Sequence, residues 1–332
     1  MTTERSSIKS LATVADEALK YIRARQSGKE KSLKVASEKV NKTFLNGFDW
    51  NRIVTVAGLS ASGKSTLVRS WVREMIDLNP TESFDVLSFQ FEMLAVDEIA
   101  RDFSSAVDID VKTLYSAYEP LDGEKLIEVE KSLESLRKRP IFIVDQSMTV
   151  DEMADTIIGY AAENNLLKKR KGLIVTIDNT LLVKDGSGKG EKSTIDELMF
   201  KLVELKKQFS ANGGKCLFFV ISQLNREIEK SERIKDRRLH YPNKSDIFGA
   251  SSVFNASDYV VIIHKPVLVE GLGVWYGPPK RDFPQGLPVF NPTKPDQAMI
   301  YLHVIKERFG KPKILAMVDN LNRASISDWE KQ

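Results

Sequence analysis

The chain has 332 residues, 42% of them hydrophobic and 29% charged, with a net charge of +3. That suits a globular protein of one large domain or two smaller ones; it excludes a wholly disordered chain and a highly basic nucleic-acid coat, so nucleic acid would have to bind at a local patch. A single cysteine, Cys216, and three histidines exclude an internal disulfide and a structural zinc site, and point to a reducing cytoplasmic setting.

The N-terminal stretch MTTERSSIKS lacks the apolar core of a secretory signal, and no run is long enough for a transmembrane helix, so no membrane contact is expected. Ile8, Leu11, Ala15, Leu19 and Ile22 then recur at steps of three and four, which predicts an amphipathic helix. It either packs on its own domain or docks on a neighbouring subunit. Residues 26–42 follow with Gly28 and the lysines Lys29, Lys31, Lys34, Lys39 and Lys42, and read as a basic, solvated linker. Residues 1–42 are therefore one unit, the helix and its linker, and residues 43–332 the main domain.

From residue 53, short β-branched or aromatic runs alternate with helical stretches. The strands are expected at Ile53–Ala57, Val86–Phe89, Ile141–Val144, Leu173–Ile177, Leu217–Ile221 and Tyr259–Ile263. Nearly continuous apolar runs suit strands covered on both faces of a parallel sheet, so the fold class is α/β. The stretch 194–209 carries Ile195, Leu198, Met199, Leu202, Leu205 and Phe209 on one helical face. Residues 266–295 hold seven of the twelve prolines and read as a long irregular loop. Residues 299–305 and 313–318 read as a hairpin turning at Arg308–Pro312.

One motif carries chemistry without ambiguity. Gly58-Leu-Ser-Ala-Ser-Gly63-Lys64-Ser65 is a complete G-x-x-x-x-G-K-[ST] loop between an expected strand and an expected helix. Its glycines let backbone N–H groups face phosphate oxygens, and the following helix adds its positive N-terminal dipole. Gly58, Ser60, Ala61, Ser62, Gly63, Lys64, Ser65 and Thr66 are the candidate nucleotide-binding residues, with Lys64 on the β- and γ-phosphates and Ser65 on Mg²⁺. ATP and Mg²⁺ are the expected cofactors. Asp178, ending an apolar strand, is the expected second Mg²⁺-ordering group. Glu92, ending another, is either an exposed acid or the carboxylate that activates water. Gln223, after the Leu217–Ile221 strand, suits a γ-phosphate sensor.

Taken in order, these segments resemble the ATPase domain of DnaB-type replicative helicases. Phe89-Gln-Phe-Glu-Met93 resembles the family's strand ending in S-L-E-M, with Glu92 as the catalytic glutamate. Ile174–Asp178 resembles its Walker B strand, although Asn179 stands where the family has an aromatic residue. Ser222-Gln-Leu-Asn-Arg226 matches its S-Q-L-x-R segment. Ser245-Asp246 and Ala256–Val260 are similar to its S-D-L-R-E-S-G…D-A-D-V-V stretch; His264-Lys-Pro266 resembles H-R-P, and Lys306–Gly310 resembles K-Q-R-N-G. The similarity runs over residues 8 to 318.

The resemblance implies a RecA-like P-loop core in a homo-oligomeric ring, a hexamer, moving 5′–3′ along single-stranded DNA in replication. It makes Arg308 catalytic, reaching with Lys306 the nucleotide of the next subunit, where otherwise Arg308 is a surface hairpin cation. It favours docking of the N-terminal helix on a neighbour. Lys184, Lys189 and Lys192 lie in a glycine-rich loop at 184–192 that is either a solvated connector or a mobile grip on DNA phosphates. The family's R-E-S-G element reads Phe248-Gly-Ala-Ser251, so contact there either uses backbone amides, as at Gly249, and the hydroxyl of Ser251 or Ser252, or is lost. That change keeps open a RecA-like DNA-dependent ATPase of recombination, repair or packaging. Primase and a helicase loader are further partners of the family. With the P-loop already at Gly58, the family's N-terminal collar, and the contacts it makes, are not expected here.

Overall fold

The computed structural model describes residues 8–186, 188–281 and 283–330; Ser187 of the glycine-rich loop lies outside the described residues, as do residues 1–7, 282 and 331–332. Six strands run parallel: β1 (Arg52–Gly58), β2 (Phe84–Gln90), β3 (Ile141–Val144), β4 (Gly172–Asp178), β5 (Cys216–Gln223) and β6 (Tyr259–His264). Three short pairs of residues follow as β7 (Trp275–Tyr276), β8 (Leu287–Pro288) and β9 (Phe290–Asn291). Then come β10 (Lys294–Glu307), β11 (Lys313–Asn320) and β12 (Ser325–Asp328). The main sheet has the order β12-β11-β10-β6-β1-β5-β4-β2-β3, with β9 paired to β10. The strands from β6 to β3 are parallel, whereas β10, β11 and β12 join antiparallel.

The pleat sorts each continuous apolar run into two cores. Ile53 and Ala57 of β1, Val175 and Ile177 of β4, and Phe218 and Val220 of β5 face the helices Val150–Glu163 and Glu191–Ala211. Val54, Val56, Ile174, Leu217 and Phe219 face the other way, onto Leu67, Val68 and Trp71 of the helix Lys64–Leu78. This is the doubly covered α/β sheet expected from the sequence. The hairpin forms as read, with Leu302 opposite Leu315.

Two segments differ from the reading of their composition. Within 26–42, Leu33, Val35 and Val40 are buried and join Phe44 and Phe48 in the second core. The lysines between them hide a chain that pairs Leu33 with Phe48 and lies on the body. The proline-rich stretch is not open loop. It buries Tyr276, Leu287 and Val289 against Met299 and Tyr301 in a third cluster.

That cluster gathers all three histidines, His240, His264 and His303, each buried. His303 Nε2 and the Tyr276 hydroxyl are 2.7 Å apart, and His264 stacks on Tyr276 at 5.0 Å with neither ring nitrogen hydrogen-bonded. Burial pushes His264 down to about 3 and lowers His240 and His303 as well. His264 is therefore neutral when folded, while an unfolded chain protonates these rings near 6.5. The unfolded state binds more protons below that value, so stability falls as pH drops from about 6.5, for His264 by about 1.4 kcal/mol per pH unit. His264→Phe keeps the stack and removes one such ring. Its melting midpoint is expected to fall less between about pH 7.5 and pH 5 than that of the wild type; equal falls would show that His264 does not carry this penalty.

The N-terminal helix, Leu11–Gln26, is capped by the Ser10 side chain, which accepts from the Thr13 amide at 3.1 Å. None of its residues is buried, and Ile8, Leu11, Leu19 and Ile22 of the apolar stripe are all exposed. Among the described residues no helix is long and apolar enough to cross a membrane.

Candidate nucleotide site

The P-loop leaves β1 at Gly58, between Gln223 of β5 and Ile263 of β6, at the carboxyl edge where open α/β sheets bind ligands. Two glycines are required by the space. A Cβ on Gly58 would stand 2.5 Å from Ser62 Oγ and 2.6 Å from the Ile263 carbonyl oxygen. Gly63 has φ +95°, and a Cβ there would meet Leu321 Cδ2 at 2.8 Å. Gly63 caps the helix Lys64–Leu78, so the first helical N–H groups open toward the loop.

Lys64 is buried, and its Nζ donates to the Leu59 carbonyl at 2.8 Å, folded back on its own loop. Burial lowers its pKa, opposed by Asp178 and Glu92. Asp178, at the end of β4, is raised to about 6 by burial, opposed by a hydrogen bond from the Ser65 side chain. Its Oδ1 is buried with no partner.

Sheet order brings the second carboxylate in. β2 neighbours β4 with Gln90 beside Asp178, and the Phe91 amide donates to the Asp178 carbonyl at 2.8 Å. Glu92 therefore emerges next to the Walker B end. Its Oε2 accepts from Asn179 Nδ2 at 2.5 Å. Asn179 is buried, follows a cis Asp178–Asn179 peptide, and its own Oδ1 accepts from the Leu181 amide. In the sequence Asn179 is visible only as a departure from the family's aromatic residue. The structure makes it the group that fixes Glu92.

These residues surround a cleft of about 570 Å³, within the ~300–1,000 Å³ usual for ligand sites. Ser60, Ala61, Gly63, Lys64, Ser65 and Thr66 line it, with Glu92 and Asp178 opposite. Gly58 and Ser62 support the loop without lining the cleft. Sequence reading misses Gln90, Arg101, Lys112, Leu321 and Asn322, which also line it. Leu321 and Asn322 come from the turn after β11, and Asn322 Nδ2 donates to Asp110 Oδ1 at 2.9 Å across the cleft mouth. No motif marks these residues, because sheet topology alone carries the turn to the P-loop.

Gln223 does not line the cleft. It stands beside Gly58 in register, and its carbonyl accepts from the Phe248 amide at 2.9 Å. It thus joins the P-loop strand to the 245–252 segment through the backbone. Gly249, φ +69°, starts the short helix Ala250–Ala256; a Cβ there would stand 2.9 Å from Ile195 Cγ2. Lys189, Lys192 and Ser251 are exposed, and Gly249 packs on Ile195, three residues after Lys192, so the two candidate DNA segments lie close together. Lys184 is tied down by its amide on the Met148 carbonyl at 2.8 Å.

Arg308 and Lys306 are far from this cleft. Glu307 pairs with Tyr259 at the start of β6, whereas the P-loop meets the other end at Ile263. The separation along the strand is roughly 13 Å at ~3.3 Å per residue. Arg308 Nε pairs with Asp258 Oδ1 at 2.8 Å, and Lys306 Nζ donates to the Phe254 and Asn255 carbonyls.

A family model, the DnaB-like helicase C terminal domain, matches residues 35–314. Among solved structures, one of an ATPase domain superimposes with a TM-score of 0.74 at 15% identity, covering 98% of this chain and 100% of that one. A DnaB-like replicative helicase described with its interactions with primase gives 0.72 at 15% identity over 98% of this chain and 68% of that one. No curated protein sequence matches. At these identities the solved structures establish a shared RecA-like fold. The family match runs from ahead of the P-loop into the last antiparallel strands, and on it the chain belongs to the DnaB-like helicase C-terminal domain family, nucleotide-binding, ATP-driven replicative helicases of the DnaB type.

Proposed function

We propose that the chain hydrolyses ATP at the contact between two identical subunits of a ring, a hexamer, and uses it to move 5′–3′ along single-stranded DNA in the cytoplasm. The observation that carries this reading is the split of the machinery: Lys64, Ser65, Asp178 and Glu92 meet in one cleft, while Arg308 and Lys306 stand at the opposite end of the sheet. A cation at that far end completes a site only on a neighbour.

In this reading the P-loop amides, Lys64 and Thr66 hold the phosphates. Glu92, fixed by Asn179, takes the proton of the attacking water. Among the described residues no cluster of three acidic, histidine or cysteine side chains marks a metal site. The unpartnered Asp178 Oδ1 beside the Ser65 hydroxyl nonetheless fits the sparse oxygen set of a P-loop Mg²⁺, whose other ligands are water and phosphate. When bound, Mg²⁺ would neutralise charge on the β- and γ-phosphates. Arg308, with Lys306, would stabilise the neighbour's transferring phosphoryl group. The exposed stripe of the N-terminal helix supports its docking on an adjacent subunit, with residues 1–42 as linker and 43–332 as motor. Of the family's primase and loader partners, only contacts that do not use the collar carry over to this chain.

Single-stranded DNA is expected to stimulate hydrolysis. Replacing Lys184, Lys189 and Lys192 together by Ala should lower the slope of log affinity against log salt by about 2, near 0.7 for each phosphate no longer neutralised. Hydrolysis indifferent to DNA would overturn the translocase reading in favour of a RecA-like ATPase of recombination, repair or packaging.

A further inference from the structure

Asp258 gathers the groups behind the far-end cations. It is 1% exposed and follows the helix Ala250–Ala256, just ahead of β6. Its Oδ2 accepts from the Ile53 amide at 2.9 Å and from Lys206 Nζ at 2.8 Å. Its Oδ1 forms an ion pair with Arg308 Nε at 2.8 Å. The carboxylate is therefore held by the strand that ends in the P-loop and by the long helix Glu191–Ala211. It cannot move without disturbing both.

Arg308 itself is 49% exposed, and its two terminal nitrogens make no hydrogen bond among the described residues. An arginine side chain carries about 2 kcal/mol of rotamer entropy, and its planar fork recognises phosphate through paired N–H groups. Fixing Nε from behind removes much of that freedom before the substrate arrives and leaves the fork unspent. One carboxylate against Lys206 and Arg308 also leaves the group net positive toward a phosphate. Lys306 is held in the same way from behind, by the Phe254 and Asn255 carbonyls and over the Phe254 ring at 5.0 Å.

We propose that Asp258 is the positioning residue of the in-trans arginine, holding Arg308 Nε so that the terminal nitrogens face the nucleotide of the adjacent subunit. This rests on the reading of Arg308 given above. The test compares wild type, Asp258→Asn, Arg308→Ala and the double variant as assembled rings, with ATP hydrolysis measured at saturating single-stranded DNA. Asp258→Asn is expected to lower kcat about 10- to 100-fold, the cost of misplacing a reacting group by about 1 Å, with KM for ATP within about twofold of wild type. Because Asp258 acts through Arg308, the double variant should be no slower than Arg308→Ala. Sedimentation and melting midpoints check assembly and folding. If Asp258→Asn does not fold, Asp258→Glu carries the test: it keeps the charge, displaces it by one methylene, and is expected to lower kcat at unchanged KM.

Wild-type or faster turnover in the variant that folds would overturn the proposal, the faster case meaning that the ion pair sequesters Arg308. So would effects that multiply in the double variant, which would mark a separate structural role. Wild-type turnover in Arg308→Ala would instead overturn the in-trans arginine itself, and the proposal with it.

Discussion

Glu92→Gln is expected to cut ATP turnover about 10²- to 10⁴-fold while nucleotide binding survives. Gln is isosteric with Glu, and its carbonyl oxygen can still accept from Asn179 Nδ2, so the loop geometry persists. What disappears is the carboxylate that the end of β2 delivers to the cleft, and with it the base for the attacking water. Asp178 does not replace it, since its side chain is engaged by the Ser65 hydroxyl. The measurement is kcat beside the affinity for a fluorescent ATP analogue. Unchanged turnover would remove Glu92 from the catalytic role; lost affinity would recast it as a binding or folding group.

Arg308→Ala is expected to lose about 10³- to 10⁵-fold in turnover, the usual worth of an arginine finger. Complementation gives this result its direction. Arg308→Ala subunits retain a whole P-loop, and Lys64→Ala subunits retain the arginine. Each should be inactive alone, and mixed rings should regain hydrolysis wherever a good P-loop meets a good arginine. An arginine acting on its own subunit's nucleotide would give no recovery at any mixing ratio. The roughly 13 Å between the start of β6 and the P-loop end argues for recovery.

The parts legible in the sequence are those governed by local pattern. The runs at 53–57, 173–177 and 217–221 are strands because covered parallel strands tolerate apolar residues on both faces. The P-loop is legible because its spacing is dictated by backbone geometry around phosphates. The positions of Asp178 and Glu92 in one cleft depend on β2 lying beside β4, which no spacing encodes; the ordered family resemblance supplies that. Leu33 and Val40 are obscured by the lysines around them, since charge averaged over a window hides single inward side chains. The turn at Leu321–Arg323 and the pairing of Asp258 with Arg308 are invisible in the sequence. Both join residues far apart in the chain, and their side chains have ordinary alternatives in solvent.

The two ends of β6 have a genetic consequence. If each subunit lends its P-loop to one neighbour contact and its arginine to the other, a chain damaged at both ends spoils two contacts at once. In mixed populations the share of intact contacts then falls as the square of the undamaged fraction, whereas damage at one end lowers it only in proportion. Doubly altered alleles of this protein would therefore be strongly dominant over a wild-type copy, and singly altered ones much less so.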